Sequence, residues 1–209
     1  MQLIGMLDSP YVRRVAVSLQ LLGIPFEHRS ISVFSTFDQF EAINPVVKAP
    51  TLICDDGEAL MDSTLILEYA EGLSKTRTLM PSQARERQHA LRLIGLALAA
   101  CEKSVQIVYE HQLRPAEKLH HPWLTRIQAQ LLAACTALET DLHRQPLIVT
   151  SDAITQAGIT TAIAWHFTQM MVPHVVAAAR YPALQAFSDE AEQLAEFRAA
   201  PHSAITMAL

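Results

Sequence analysis

Pro50 stands directly in front of a strand-like run, Thr51-Leu52-Ile53-Cys54, and closes a short loop, Asn44-Pro45-Val46-Val47-Lys48-Ala49. Proline has no N–H to give to a sheet ladder, so it marks the edge of a sheet or the entry to a strand. An X-Pro bond in a tight turn can also be cis, a feature usually kept for a purpose. One such purpose is to turn the N–H and C=O of Ala49 outward, where an extended peptide can pair with them like an added strand. An ordinary loop-to-strand entry meets the same proline placement and, on that placement alone, is the commoner arrangement.

The elements around this loop follow in a readable order. Gln2 to Met6 is a short apolar run that fits a buried strand. Asp8-Ser9-Pro10 is a helix start, a capping side chain followed by proline at the first helical position. Val12, Val15, Ala16, Leu19 and Leu22 keep the helical spacing until Gly23, a good terminator. Phe26 to Ile31 alternates and reads as a second strand, giving a right-handed βαβ unit. A brief helix is expected over Phe37 to Ile43. Asp55-Asp56-Gly57-Glu58 between Thr51–Cys54 and Ala59–Met61 signals a hairpin, and Asp62 or Ser63 caps a helix that ends at Gly72.

From the linker at Leu79-Met80-Pro81 the pattern changes. Residues 82–111, 123–142, 155–171 and 182–197 all carry helical periodicity rich in alanine and leucine, and no convincing strand remains. The expected fold class is therefore α/β plus all-α, in the order βαβ-α-ββα and then helices only. The tail from Ala199 is expected to fray.

With 209 residues, half of them hydrophobic, the chain can bury a substantial core. Its net charge of −5 and lack of a basic run argue against nucleic acid as a partner. Cys54, Cys101 and Cys135 are odd in number and widely spaced, which fits small buried hydrophobes in a reducing, cytoplasmic setting. No apolar run reaches the roughly 18 residues of a membrane span. His120-His121-Pro122 reads as a loop without metal-ligand spacing. Trp165 and Phe167 read as core, and Arg85 and Arg87 as a solvated face or a subunit contact.

Ser9-Pro10, Lys48-Ala49-Pro50 and Asp62-Ser63, in this order and spacing, would lie on one edge of a four-stranded fold. Together with the linker and the late helix start Tyr181-Pro182-Ala183-Leu184, they resemble the glutathione S-transferase superfamily, in its bacterial form with a serine-type active site. The resemblance implies a thioredoxin-like glutathione-binding domain over residues 1–76. It also implies an all-helical domain over residues 83–209 that contributes an electrophile pocket.

By the same resemblance Ser9 is the catalytic residue, keeping the glutathione thiol ionised, and glutathione is the co-substrate, with no metal. The glutathione-binding residues are Lys48, Ala49, Pro50, Asp62 and Ser63. Ala49 pairs through its backbone with the cysteinyl part, and Ser63 with the helix amides takes the γ-glutamyl α-carboxylate. Asp62 orients the ammonium, and Lys48 reaches the glycyl carboxylate. Tyr11 and Tyr109 border the electrophile pocket.

Each role has a plainer counterpart: Ser9, Asp62 and Ser63 as helix caps, Lys48 as a solvated lysine. The implied activity is attack of the thiolate on a small hydrophobic electrophile, a detoxification chemistry, by a two-fold homodimer. Glutathione peroxidase or isomerase activity and a non-catalytic binding or regulatory module stay open as alternatives.

Three departures from the family pattern stand out. Val47 occupies the glycine position of an NPxGKVP-like loop, and a β-branched residue disfavours positive φ, so the loop is expected to adopt another turn or to shift slightly, changing the direction of Lys48. Thr155-Gln156-Ala157-Gly158 can cap a helix with Thr155, but Gly158 cannot return the second bond of a capping box. Ser9 in place of cysteine, with no CxxC nearby, argues against thiol–disulfide exchange.

Overall fold

A computed structural model describes residues 1–202, so the part of the expected frayed tail beyond His202 lies outside the described residues. The chain divides into two compact units. One comprises Met1–Leu79 with the segment that begins at Leu194, and the other is Met80–Gln193.

The first unit holds β1 (Gln2–Ile4), α1 (Pro10–Leu21), β2 (Glu27–Arg29), α2 (Phe37–Ile43), β3 (Thr51–Ile53), β4 (Ala59–Met61) and α3 (Ser63–Leu73). The four strands form one sheet in the order β2-β1-β3-β4. β1 runs parallel to β2 and antiparallel to β3, with Leu3 opposite both His28 and Leu52. β3 and β4 form the expected hairpin, Leu52 facing Leu60.

Leu3 and Ile4 point to opposite faces of the sheet, as successive strand residues must, and both are wholly buried. Ile4 clusters with Ile31 and with Phe40 of α2. The other face is served by α1, which packs against β1 and α3. α1 is buried along its length, Arg13 and Arg14 included.

The second unit holds α4 (Ala84–Gln112), α5 (His121–Arg144), α6 (Gln156–Met171) and α7 (Pro182–Ala191). α4 packs on α5 and α6, and α7 closes on α5 and α6. α6 is buried on nearly every side, and Trp165 and Phe167 are core, as expected. Thr155 caps it alone, accepting from the Gly158 N–H at 3.4 Å. A Cβ on Gly158 would lie 3.0 Å from the Ile154 side chain, so the residue that fails to complete a capping box is also the one that lets Ile154 seat. α7 has a cap borrowed from α5: Glu139, 8 % exposed, accepts the N–H groups of Ala183 and Leu184 at 2.9 and 2.8 Å.

Four local expectations are corrected. The helix expected over residues 182–197 breaks after Ala191, and a short α8 (Ala195–Arg198) follows Leu194. The break coincides with the change from one unit to the other. His121 opens α5 instead of sitting in a loop, because Pro122 suits the first turn of a helix. Gly72 lies inside α3, which ends at Leu73 with Ser74 as its C-cap.

Val47 does take the left-handed conformation, with φ 50°. Its N–H reaches the Asn44 carbonyl at 2.8 Å, and its side chain packs against the Ile4–Ile31–Phe40 cluster. A left-handed L-residue costs roughly 1–2 kcal/mol, and burying a valine side chain returns up to about 1.5 kcal/mol or more. The packing therefore offsets the backbone penalty.

This balance gives a test. Val47→Ala keeps the penalty and loses the packing, whereas Val47→Gly loses both. Denaturant unfolding should show the glycine variant as stable as the alanine variant or more so, by up to about 1 kcal/mol. Elsewhere glycine is the worse of the two.

Candidate functional site

The end of β1 is where the site begins. Gly5 has φ 139°, a conformation that side-chain-bearing residues rarely adopt. A Cβ there would lie 2.6 Å from Val12 Cγ2 and 3.3 Å from the Ala49 methyl. The bare α carbon thus lets the first turn of α1 and the loop before β3 close on the same strand end.

Ser9 caps α1 with extended dihedrals and Pro10 behind it, as the sequence indicated. Its hydroxyl oxygen lies 3.5 Å from the Val12 N–H, at the outer limit of a hydrogen bond. Capping therefore engages the half-buried hydroxyl only weakly, and the first-turn amides of α1 lie alongside it. Asp8 immediately precedes it. Burial pushes the Asp8 carboxyl pKa up, and an accepted backbone N–H from Ser9 partly opposes that rise.

The Ala49–Pro50 peptide is cis. A buried clamp holds this loop: the Asn44 amide donates to Thr51 Oγ1 at 2.8 Å, and Thr51 Oγ1 donates to the Lys48 carbonyl at 2.8 Å. Asn44 Oδ1 also accepts the Val46 N–H at 3.0 Å. Lys48 runs toward α3, its Nζ 3.6 Å from Asp62 Oδ2. Both partners are about half exposed, so this pair matters for where the cation sits more than for stability.

Asp62 has φ 75° and ψ 122°, a strained backbone of the sort concentrated at binding sites. Its Oδ1 accepts the Thr64 N–H at 2.9 Å. Ser63 follows as the first residue of α3, 4 % exposed. Arg14 of α1 donates from Nη1 to Ser63 Oγ at 3.1 Å and to Thr64 Oγ1 at 3.2 Å.

Ser9, Lys48, Ala49, Pro50, Asp62 and Ser63 are thus all carried by the first unit, where the Gly5 approach, the Lys48–Asp62 pair and the Arg14 bonds link the segments that bear them. Tyr11 is the second residue of α1, whereas Tyr109 lies on α4 of the second unit, 39 % exposed. Arg14 was missed by sequence reasoning. A polar residue next to an apolar stripe ordinarily points to water, and nothing local says that α1 is enclosed. Among the described residues no three His, Cys, Asp or Glu side chains gather as metal ligands, and no helix is long and apolar enough to cross a membrane.

Residues 3–78 match the family model described as the glutathione S-transferase N-terminal domain. An uncharacterized GST-like protein of Escherichia coli K12, YibF, is 28% identical over 139 residues, covering 66% of this chain and 68% of that protein. Glutathione S-transferase U4 of Arabidopsis thaliana is 31% identical over 117 residues, about half of each chain. Among solved structures, a glutathione S-transferase from Methylobacterium radiotolerans in complex with glutathione sulfonate aligns with a TM-score of 0.90 at 25% identity. That alignment covers 98% of this chain and 96% of that one. The first unit thus matches the glutathione S-transferase N-terminal domain, and the chain as a whole shares the fold of the solved glutathione S-transferase. The sheet with α1–α3 is the thioredoxin-like part of that fold, and α4–α7 belong to the helical part.

The three thiols are buried and form no disulfide. Burial pushes Cys135 up to about 12, and burial raises Cys54 against the opposing effect of its hydrogen bond with Tyr69, with neighbouring carboxylates adding to the rise. Only the thiolate alkylates. At pH 8 the native protein should resist iodoacetamide, while the unfolded chain takes up three equivalents, as counted by mass.

Proposed function

We propose that the protein is a glutathione transferase of the serine type, in which Ser9 holds the glutathione thiolate for attack on a small apolar electrophile. What carries the reading is the assembly in one unit of two helix N-termini and a cis Ala49–Pro50 loop. The weakly used Ser9 hydroxyl sits at one helix start and the nearly buried Ser63 hydroxyl at the other. This arrangement suits an extended anionic tripeptide. Ala49 pairs with its middle through the backbone, and Ser63 with the α3 amides takes the γ-glutamyl carboxylate. Asp62 faces the ammonium, and Lys48 supplies charge for the glycyl carboxylate.

The energetics are adequate. A free cysteine thiol has a pKa of about 8.5, and lowering it by two units needs about 2.7 kcal/mol. A hydrogen bond to a charged sulfur contributes about 1.5–3 kcal/mol, and a helix N-terminus about 0.3–1 kcal/mol or more. Together they cover the requirement without a metal or a general base. Tyr11, on the first turn of α1, is assigned to the electrophile side, and three cysteines without a disulfide fit a cytoplasmic location.

Ser9→Ala should lower kcat/KM toward a nitroaryl halide by at least about 100-fold, the scale for losing one donor to a developing anion. Because the cap bond is long, stability should fall by less than about 1 kcal/mol. Steady-state kinetics beside calorimetric titration with glutathione measures both. Undiminished turnover in the variant would remove Ser9 from the mechanism, and a wild type that binds no glutathione at millimolar concentration would end the reading.

The homodimer is proposed on the α3 face. Leu65, Tyr69 and Leu73 recur at helical spacing and are 59, 38 and 40 % exposed, a single apolar stripe. A two-fold axis would bury such a stripe in both copies at once. Sedimentation should show a dimer for the wild type and a monomer for Leu65→Glu.

A further inference from the structure

Arg13 and Arg14 are neighbours on α1, 1 and 2 % exposed. Consecutive helical residues project about 100° apart, so the two guanidinium groups leave the helix in different directions. Arg13 donates from Nε to the Ala200 carbonyl at 2.8 Å and lies 5.8 Å from the centre of the Phe197 ring, fastening the segment that carries α8. Arg14 goes to the start of α3 and its two hydroxyls.

A cation in that position is not what helix stability asks for. The N-terminus of α3 already presents positive potential, so acidic side chains are favoured there and a buried guanidinium is opposed. Buried charge is retained where it has a partner or a task. Arg14 can only donate, so the oxygens of Ser63 and Thr64 must accept from it. Once the Ser63 oxygen accepts, its proton is directed away from Arg14 and becomes a donor to whatever lies beyond. The guanidinium charge strengthens that donor and adds to the field of the α3 amides. Both effects favour a carboxylate.

We infer that Arg14 is a positioning residue for the γ-glutamyl end of glutathione, a role that rests on the glutathione reading above. It commits the Ser63 hydroxyl as a donor to the ligand's α-carboxylate and places a buried positive charge behind it. Ser9 governs the thiol. Arg14 governs how tightly the far end of the tripeptide is held, and so selects peptides that carry an α-carboxylate there.

The test compares two ligands, glutathione and an analogue in which the γ-glutamyl α-carboxylate is replaced by hydrogen, 4-aminobutyryl-cysteinyl-glycine. Calorimetric titration of Arg14→Gln should show glutathione binding weakened by about 10- to 100-fold, the scale for a hydrogen bond to a charged group. Binding of the analogue should change by less than about threefold on the same scale. In turnover the loss should fall on KM for glutathione and not on kcat.

Arg14→Lys keeps the charge but not the fork, and should give an intermediate ratio of the two affinities. If Arg14→Gln does not fold, Arg14→Lys decides the matter by the same ratio. Equal losses for both ligands, or a ratio unchanged from wild type, would overturn the role of Arg14 and leave the glutathione reading standing. A wild type that takes up neither ligand would overturn both.

Discussion

The first unit depends on how closely three segments can approach at the end of β1. The bare α carbon of Gly5 leaves just enough room for Val12 on one side and the Ala49 methyl on the other. With a side chain at that point, the first turn of α1 and the loop before Pro50 could not both reach the strand. The helix start that carries Ser9 and the loop that carries Ala49 would then be held apart. The Asn44–Thr51 clamp shapes the loop that arrives there, and Arg14 ties α1 to the start of α3.

Much of this was readable from punctuation. Ser9-Pro10, Asp55-Asp56-Gly57 and Asp62-Ser63 mark helix starts and a hairpin through local chemistry, and local chemistry is what a sequence records best. The positions that misled are those where distant packing overrules a local preference. Val47 is a poor residue for a left-handed turn by every intrinsic measure. It occupies one because its side chain meets Ile4, Ile31 and Phe40, which are far from it in sequence. The same holds for Arg14, whose burial comes from the enclosure of α1 and not from any pattern within the helix. The break between α7 and α8 also lies beyond periodicity, since the two pieces share one apolar rhythm but belong to different units.

The helical unit shows how a sequence can miss a motif and still secure the element. Gly158 cannot complete a capping box, yet its lack of a side chain lets Ile154 pack on the first turn of α6. α7 lacks a capping side chain of its own and takes Glu139 from α5 in its place. In both cases a tertiary contact supplies what the local sequence omits, which is why α6 and α7 are placed firmly despite weak starts.

Arg13 joins the chain's second helical turn to the carbonyl of Ala200, 187 residues later. During synthesis the sheet and its helices emerge before α8, and the surface they offer to it stays bare until the intervening helical unit has also been made. A contact of such long sequence range carries a large loop-closure cost and forms late. Until then the newly made sheet unit has an open flank with a buried-type arginine in it. A nascent chain of this kind is a natural client for chaperones that shield half-finished domains.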